Sequence, residues 1–157
     1  MSTGLDAQLQ IQAKATTLTA GTTLSTYSVD QQAAKRHVEL GETIGFGVFV
    51  SASAKTSAET YTFNVVDADN AALNSNLVII GSSGAILGSD ARMDTTSADF
   101  KAGVFVPIPV GSLTKEFVGL QFVLGNGGGT ASLNADVFLM NQGEWSQYNA
   151  PAANYTP

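Results

Sequence analysis

FVGLQFVLGNGGGTASLNADVFLM, residues 117–140, is the stretch whose pattern decides the fold. Val118, Leu120, Phe122 and Leu124 recur at every second position. So do Leu133, Ala135, Val137 and Leu139, with Ser132, Asn134 and Asp136 opposite. Side chains of an extended chain point alternately to its two faces, so this spacing marks two half-buried antiparallel strands. Asn126-Gly127 and the two glycines that follow accept the positive φ values of a tight reversal. The stretch therefore predicts a hairpin near the centre of a sheet.

Upstream of the hairpin, Val104, Val106 and Ile108 alternate with Phe105, Pro107 and Pro109. Proline donates no ladder hydrogen bond, so this strand either lies at a sheet edge or donates nothing at those positions. Residues 81–103 carry four glycines and a polar run, and read as a long loop. Leu77–Ile80 is a short continuous apolar run, read as a buried strand. Tyr61, Phe63 and Val65 form one face of another strand, as do Phe46, Val48 and Val50, with Gly45 and Gly47 on the opposite side, where glycine signals close backbone approach or a bulge. Val38 and Leu40 precede a turn at Gly41-Glu42, Asp30–Lys35 is read as a turn in preference to one helical turn capped by Asp30, and Leu24–Val29 is a short strand. Leu9 and Ile11 alternate with glutamines near the N-terminus. These signals predict an all-β sandwich or barrel of eight or nine short strands, with a two-sheet β-sandwich of about eight strands preferred over a lipocalin-like barrel, an N-terminal arm (1–23), a sandwich domain (24–140) and an extended C-terminal tail (141–157).

Bulk properties narrow the function classes. The 157 residues fit one domain with a core of its own. No cysteine is present, which excludes disulfides and thiolate metal sites and fits synthesis in a reducing cytoplasm. The net charge of -6, with only seven Lys and Arg, opposes nucleic-acid binding, because phosphate contacts need clustered cations. Lys35-Arg36 is the sole adjacent basic pair. No apolar run reaches membrane-spanning length and no basic-apolar leader is visible, so the expectation is a soluble protein without a membrane partner.

Motifs for chemistry are weak. His37 is the only histidine and no Gly-x-Ser-x-Gly elbow accompanies it; Gly81-Ser82-Ser83-Gly84 reads as a loop. Gly127-Gly128-Gly129-Thr130 lacks the lysine of a phosphate loop and leads into a strand. Asp67, Asp69 and Asn70 begin like a calcium loop, but Ala72 and Val78 stand where glycine and glutamate belong, so an Asx-type turn is expected. Asp90, Asp94 and Asp99 offer the carboxylates of a glycosidase without an aromatic-lined cleft. Asn154-Tyr155-Thr156 matches a glycosylation sequon by chance. The expectation is no catalytic residue, no metal and no cofactor. What remains are interaction features. Trp145, Tyr148 and Tyr155 in the polar tail, and Leu9 and Ile11 in the N-terminal strand, either fold onto the chain's own sheets or anchor a partner.

In order along residues 5–140, the phrases LDAQL (5–9), STYSVD (25–30), FGVFV (46–50), TFNVVD (62–67), VPIP (106–109) and GTASLNAD (129–136) give the chain its overall character. Taken together, the sequence resembles the jelly-roll capsid cement, or decoration, proteins of tailed bacteriophages, especially short-tailed ones. It departs from them at 117–121, where an Arg- and Tyr-rich strand is expected, and in its longer tail after Met140. The resemblance implies an antiparallel jelly-roll sandwich and a non-enzymatic protein made in the host bacterial cytoplasm. It implies a homo-oligomer, dimer or trimer, seated on the outer capsid surface, where it bridges copies of the major capsid protein. Leu9, Ile11, Trp145, Tyr148 and Tyr155 are then the expected capsid or protomer contacts. The alternative is a carbohydrate-binding jelly-roll module of a phage fibre or secreted enzyme, with Trp145 or Tyr148 stacking on sugar.

Overall fold

The computed structural model describes residues 9–31, 43–54, 58–96, 102–109, 111–127 and 131–148. His37, Lys35-Arg36, the Val38–Leu40 strand, Asp99, the Asn154 sequon and Tyr155 lie outside them. Eleven strands are present among the described residues: β1 (Gln10–Gln12), β2 (Leu18–Thr19), β3 (Gly21–Leu24), β4 (Val29–Asp30), β5 (Ile44–Ser53), β6 (Thr60–Ala68), β7 (Val78–Ser82), β8 (Ile86–Leu87), β9 (Gly103–Pro107), β10 (Phe117–Gly125) and β11 (Ser132–Asn141). A 3-10 turn spans Ala91–Met93, and a helix, α1, spans Gln142–Tyr148.

The strands form two antiparallel sheets packed as a β-sandwich. The first runs β1-β11-β5-β9, with β2 also on β11; the second runs β3-β10-β6-β7, with β4 also on β10 and β8 also on β6. Since β11 meets β5 on one side, β1 and β2 share its other side. By the same reasoning β3 and β4 share one position, and β7 and β8 another. Each sheet is thus four strand positions wide.

The predicted hairpin is not one. β10 pairs with β3, β4 and β6, while β11 pairs with β1, β2 and β5, so the two strands lie in different sheets. The glycine link between them crosses the sandwich instead of reversing within a sheet. Alternation reports that a strand has one buried face and is silent about its neighbour. The inward faces are those the pattern predicts. Val118, Leu120, Phe122 and Leu124 meet Leu133, Ala135, Val137 and Leu139 across one buried cluster, joined by Phe46, Val48, Val50, Tyr61, Phe63 and Val65. Phe63 stands opposite Phe122 in the register, and their rings pack edge to face with centroids 6.0 Å apart.

The proline rule holds for β9, which lies at an edge of the first sheet. The Leu77–Ile80 run differs from its expectation. It supplies β7, also an edge strand, in which Val78 is 46% and Ile79 51% exposed. A continuous apolar run has the same composition whether it sits inside a sheet or at its margin.

Candidate interaction surfaces

α1 covers the outer face of the first sheet. Its start is a capping box: the Glu144 N–H donates to Asn141 Oδ1, and the Asn141 N–H donates to Glu144 Oε2 at 3.3 Å. The helix delivers Trp145 onto Phe49, with ring centroids 4.9 Å apart, and near Phe105 at 6.2 Å. Glycines make the room. A Cβ on Gly103 would stand 2.5 Å from Trp145 Cη2, and one on Gly47 would stand 2.6 Å from Met140 Sδ and 2.9 Å from Trp145 Cε3. The sequence reads Gly45 and Gly47 as close backbone approach or a bulge, whereas what approaches Gly47 is side chains, Met140 and the Trp145 indole.

A second plug covers the outer face of the other sheet. The loop after β6 returns Leu73 over Val66 and Ala68, with Leu24, Leu77 and Phe117 around it. A Cβ on Gly119 would lie 2.5 Å from Leu73 Cδ1. Asn70 holds this loop: its Oδ1 accepts from the N–H groups of Asn74 and Ser75 at 3.0 and 3.2 Å. Asp69 accepts from Asn76 Nδ2 at 2.6 Å and from Lys115 Nζ at 3.3 Å, and the Asn76 bond in particular lowers its carboxyl below the usual range. Asp67 is buried and accepts from the Thr114 N–H and hydroxyl at 3.0 and 3.1 Å. The three residues of the imagined calcium loop therefore diverge to separate structural partners.

The expected contact residues fall in different places. Ile11 is 1% exposed and part of the core, and Leu9 packs against that core while partly buried. Trp145 is 9% exposed on the opposite face of the same sheet. Tyr148 ends α1, and nothing is described of its side chain. The structure thus brings Leu9 and Ile11 together but separates them from Trp145 by the thickness of the sheet. Residues 10–24 supply edge strands to both sheets. Asp136 Oδ1 accepts from Gln10 Nε2 and the Lys14 N–H at 2.9 Å each, and Asn134 Nδ2 donates to the Lys14 carbonyl and Thr17 Oγ1, also at 2.9 Å.

Carboxylates in the 81–103 segment serve local structure. Asp90 caps the 3-10 turn, accepting from the Arg92 N–H at 2.9 Å, and pairs with the Arg92 guanidinium at 2.9 Å. These bonds, the guanidinium first, hold its carboxyl down at about 2. Asp94 accepts from the Thr96 N–H and hydroxyl. In the Gly-Ser-Ser-Gly segment, Ser83 Oγ accepts from the Phe63 N–H at 3.0 Å and Ser82 Oγ accepts from the Gly84 N–H at 3.1 Å, which fixes the bend between β7 and β8. Among the described residues no group of three or more His, Asp or Glu side chains is placed to hold a metal.

Tyr61 ties one end of the sandwich together. Its buried hydroxyl accepts from the Ala54 N–H at 3.1 Å and lies 3.0 and 3.1 Å from the Ala54 and Ser132 carbonyl oxygens, one of which takes its proton. Burial pushes its pKa above the ordinary phenol value. Glu59, two residues earlier, is fully buried and neither of its carboxylate oxygens has a hydrogen-bond partner. The surface signal that periodicity missed is the β7 edge, where aliphatic side chains face outward. No protein-family model matches the chain, and no curated protein matches it either.

Proposed function

We propose that the protein is a capsid cement, or decoration, protein of a tailed bacteriophage. It is a non-enzymatic virion component on the outer capsid surface that bridges neighbouring copies of the major capsid protein. The strand order carries this reading. Four positions per sheet, in the orders β1-β11-β5-β9 and β3-β10-β6-β7, with the chain changing sheet at β2–β3, β4–β5, β5–β6, β8–β9, β9–β10 and β10–β11, support reading the sandwich as an eight-stranded jelly roll. That is the fold the resemblance implies.

The rest of the molecule is compatible with a structural role. Each outer face is capped by a segment of the chain itself, Trp145 on one and Leu73 on the other, which leaves the loops and edges as contact surface. Such contacts are individually weak. Joined in a homo-oligomer they act at high effective concentration, so a rigid module reinforces a shell without one large interface. Tyr148 and Tyr155 remain expected capsid or protomer contacts in this reading. The carbohydrate-binding alternative relies on Trp145 or Tyr148 stacking on sugar, and Trp145 is 9% exposed and packed on Phe49 and Phe105.

The test is co-sedimentation of the purified protein with expanded shells of the phage that carries this gene, assembled without it. Saturable binding, with matching density on the outer surface in electron cryomicroscopy, supports the proposal. Shells that sediment bare at saturating protein refute it, and specific binding on a glycan array would favour the alternative.

A further inference from the structure

Asn126-Gly127 opens the link that crosses between the sheets, directly after β10 ends at Gly125. It is the one place in the chain where glycine follows asparagine, and both residues are exposed. Every other described asparagine has its carboxamide in a hydrogen bond. Asn64 donates to Gln121, Asn70 to Asn74, Asn76 to Asp69, and Asn134 to the Lys14 carbonyl and Thr17, while Asn141 accepts from the Glu144 N–H. The residue after each of these carries a Cβ. Asn126 has neither restraint. Its carboxamide has no hydrogen-bond partner among the described residues, and the amide nitrogen beside it belongs to a glycine.

Those two features decide where an asparagine side chain is attacked by its own backbone. The amide nitrogen of the next residue can reach the side-chain carbonyl carbon, Cγ, and close a five-membered ring. A Cβ on that next residue obstructs the approach, and a hydrogen bond to the carboxamide holds Cγ in place; a glycine beside a free carboxamide removes both obstacles. Asparagine is thermally labile in proteins for this reason. We infer that Asn126 is a site of spontaneous covalent modification, in which the Gly127 nitrogen displaces ammonia from the Asn126 side chain and water then opens the ring. The Gly127 N–H gives its proton to solvent base, the N–Cγ bond forms as the Cγ–Nδ2 bond breaks, and Nδ2 leaves as ammonia. Water then adds to one of the two ring carbonyls. Cleavage of the bond from the Gly127 nitrogen to the Asn126 main-chain carbonyl carbon gives isoaspartate, with the chain now running through Cγ; cleavage of the new N–Cγ bond gives aspartate. Either product adds one negative charge to a chain of net -6.

The isoaspartyl product also acts on the fold, because it inserts one extra carbon into the main chain immediately before Gly127. Gly127 has no slack to absorb it. Its backbone lies so close to Ala58 that a Cβ on Gly127 would overlap the Ala58 carbonyl. Ala58 leads into β6 at the end of the sandwich where Glu59 is fully buried and the Tyr61 hydroxyl sits between Ala54 and Ser132. Lengthening the link therefore pushes on the end of the sandwich that Tyr61 closes, whereas the aspartyl product keeps the original chain path.

The test incubates the folded protein in mildly alkaline buffer at physiological temperature, with the far-UV spectrum checked throughout, and follows it by peptide mass mapping and by isoaspartyl methyltransferase labelling. Conversion is expected at Asn126 ahead of the other eight asparagines, with the label at that position and a rate that rises with pH, because the attacking nitrogen must first lose its proton. Asn126→Gln, which would have to close a larger ring, is expected to lose the label. The isoaspartyl form, separated by ion exchange, is expected to melt below the unmodified protein, while Asn126→Asp, which adds the same charge without the extra carbon, melts with it. Asn126 left intact while other asparagines convert, a rate that does not rise with pH, or a label that persists in Asn126→Gln overturns the inference. An isoaspartyl form that melts no lower than Asn126→Asp overturns the effect on the fold.

Discussion

Trp145→Ala tests whether α1 belongs to the folded unit. The indole is 9% exposed and lies against Phe49 and Phe105. A buried tryptophan removes about 150–250 Å² from water, which at about 25 cal/mol per Å² is roughly 4–6 kcal/mol before costs. The variant returns part of this. An isolated helix as short as α1 does not hold in water, so it undocks with the truncated side chain and its residues regain conformational entropy. The opening faces solvent, so no closed cavity remains. We expect a net loss of about 2–3 kcal/mol, read as a lower midpoint in urea unfolding followed by far-UV circular dichroism. Gly103→Ala acts on the same contact from the other side, because its methyl would stand 2.5 Å from both Trp145 Cη2 and the Val48 carbonyl oxygen. As Trp145 is the only tryptophan, its displacement appears as a red shift of the emission. A Trp145→Ala variant within about 0.5 kcal/mol of wild type, together with unshifted emission in Gly103→Ala, would refute the docking argument.

Three other outcomes follow from single groups. Tyr61→Phe leaves the Ala54 N–H and a buried carbonyl without their hydroxyl partner and is expected to cost about 1–3 kcal/mol in denaturant unfolding. Glu59→Met removes a fully buried carboxyl group that has no hydrogen-bond partner, so this variant should be more stable by about 1–3 kcal/mol; a lower melting temperature would contradict it. Asp90 titrates at about 2 beside Arg92, below its unfolded value of about 3.9. Its contribution is therefore complete above the unfolded value and is lost as pH falls through 2. The pair is partly exposed, so the effect on stability is under about 1 kcal/mol. Carboxyl NMR is the sensitive readout, and Arg92→Ala should return the Asp90 midpoint toward the ordinary range.

Faces were legible in the sequence and neighbours were not. Period-two spacing assigns Phe46, Tyr61, Phe122 and Leu133 to the core, where they are found. Prolines 107 and 109 mark an edge because a missing N–H has a fixed consequence in any sheet. The link from Gly125 to Ala131 shows the limit. Glycines permit a reversal, yet the same freedom serves a crossing between sheets, and the choice rests on contacts with β5 and β6, far away in sequence. Gly47 signalled a close approach without naming Trp145. The helix that carries Trp145 is too short to show a period, though Asn141 and Glu144 stood at capping-box spacing. The exposed β7 edge was missed because an apolar run contains no mark of what lies beside it.

The most direct test of the central claim is binding to the shell. Purified protein added to expanded shells of its own phage, assembled without it, is expected to co-sediment to saturation and appear as bridging density over the seams between major capsid subunits. Shells that remain bare by both sedimentation and electron cryomicroscopy, at concentrations where the protein is folded, would contradict it.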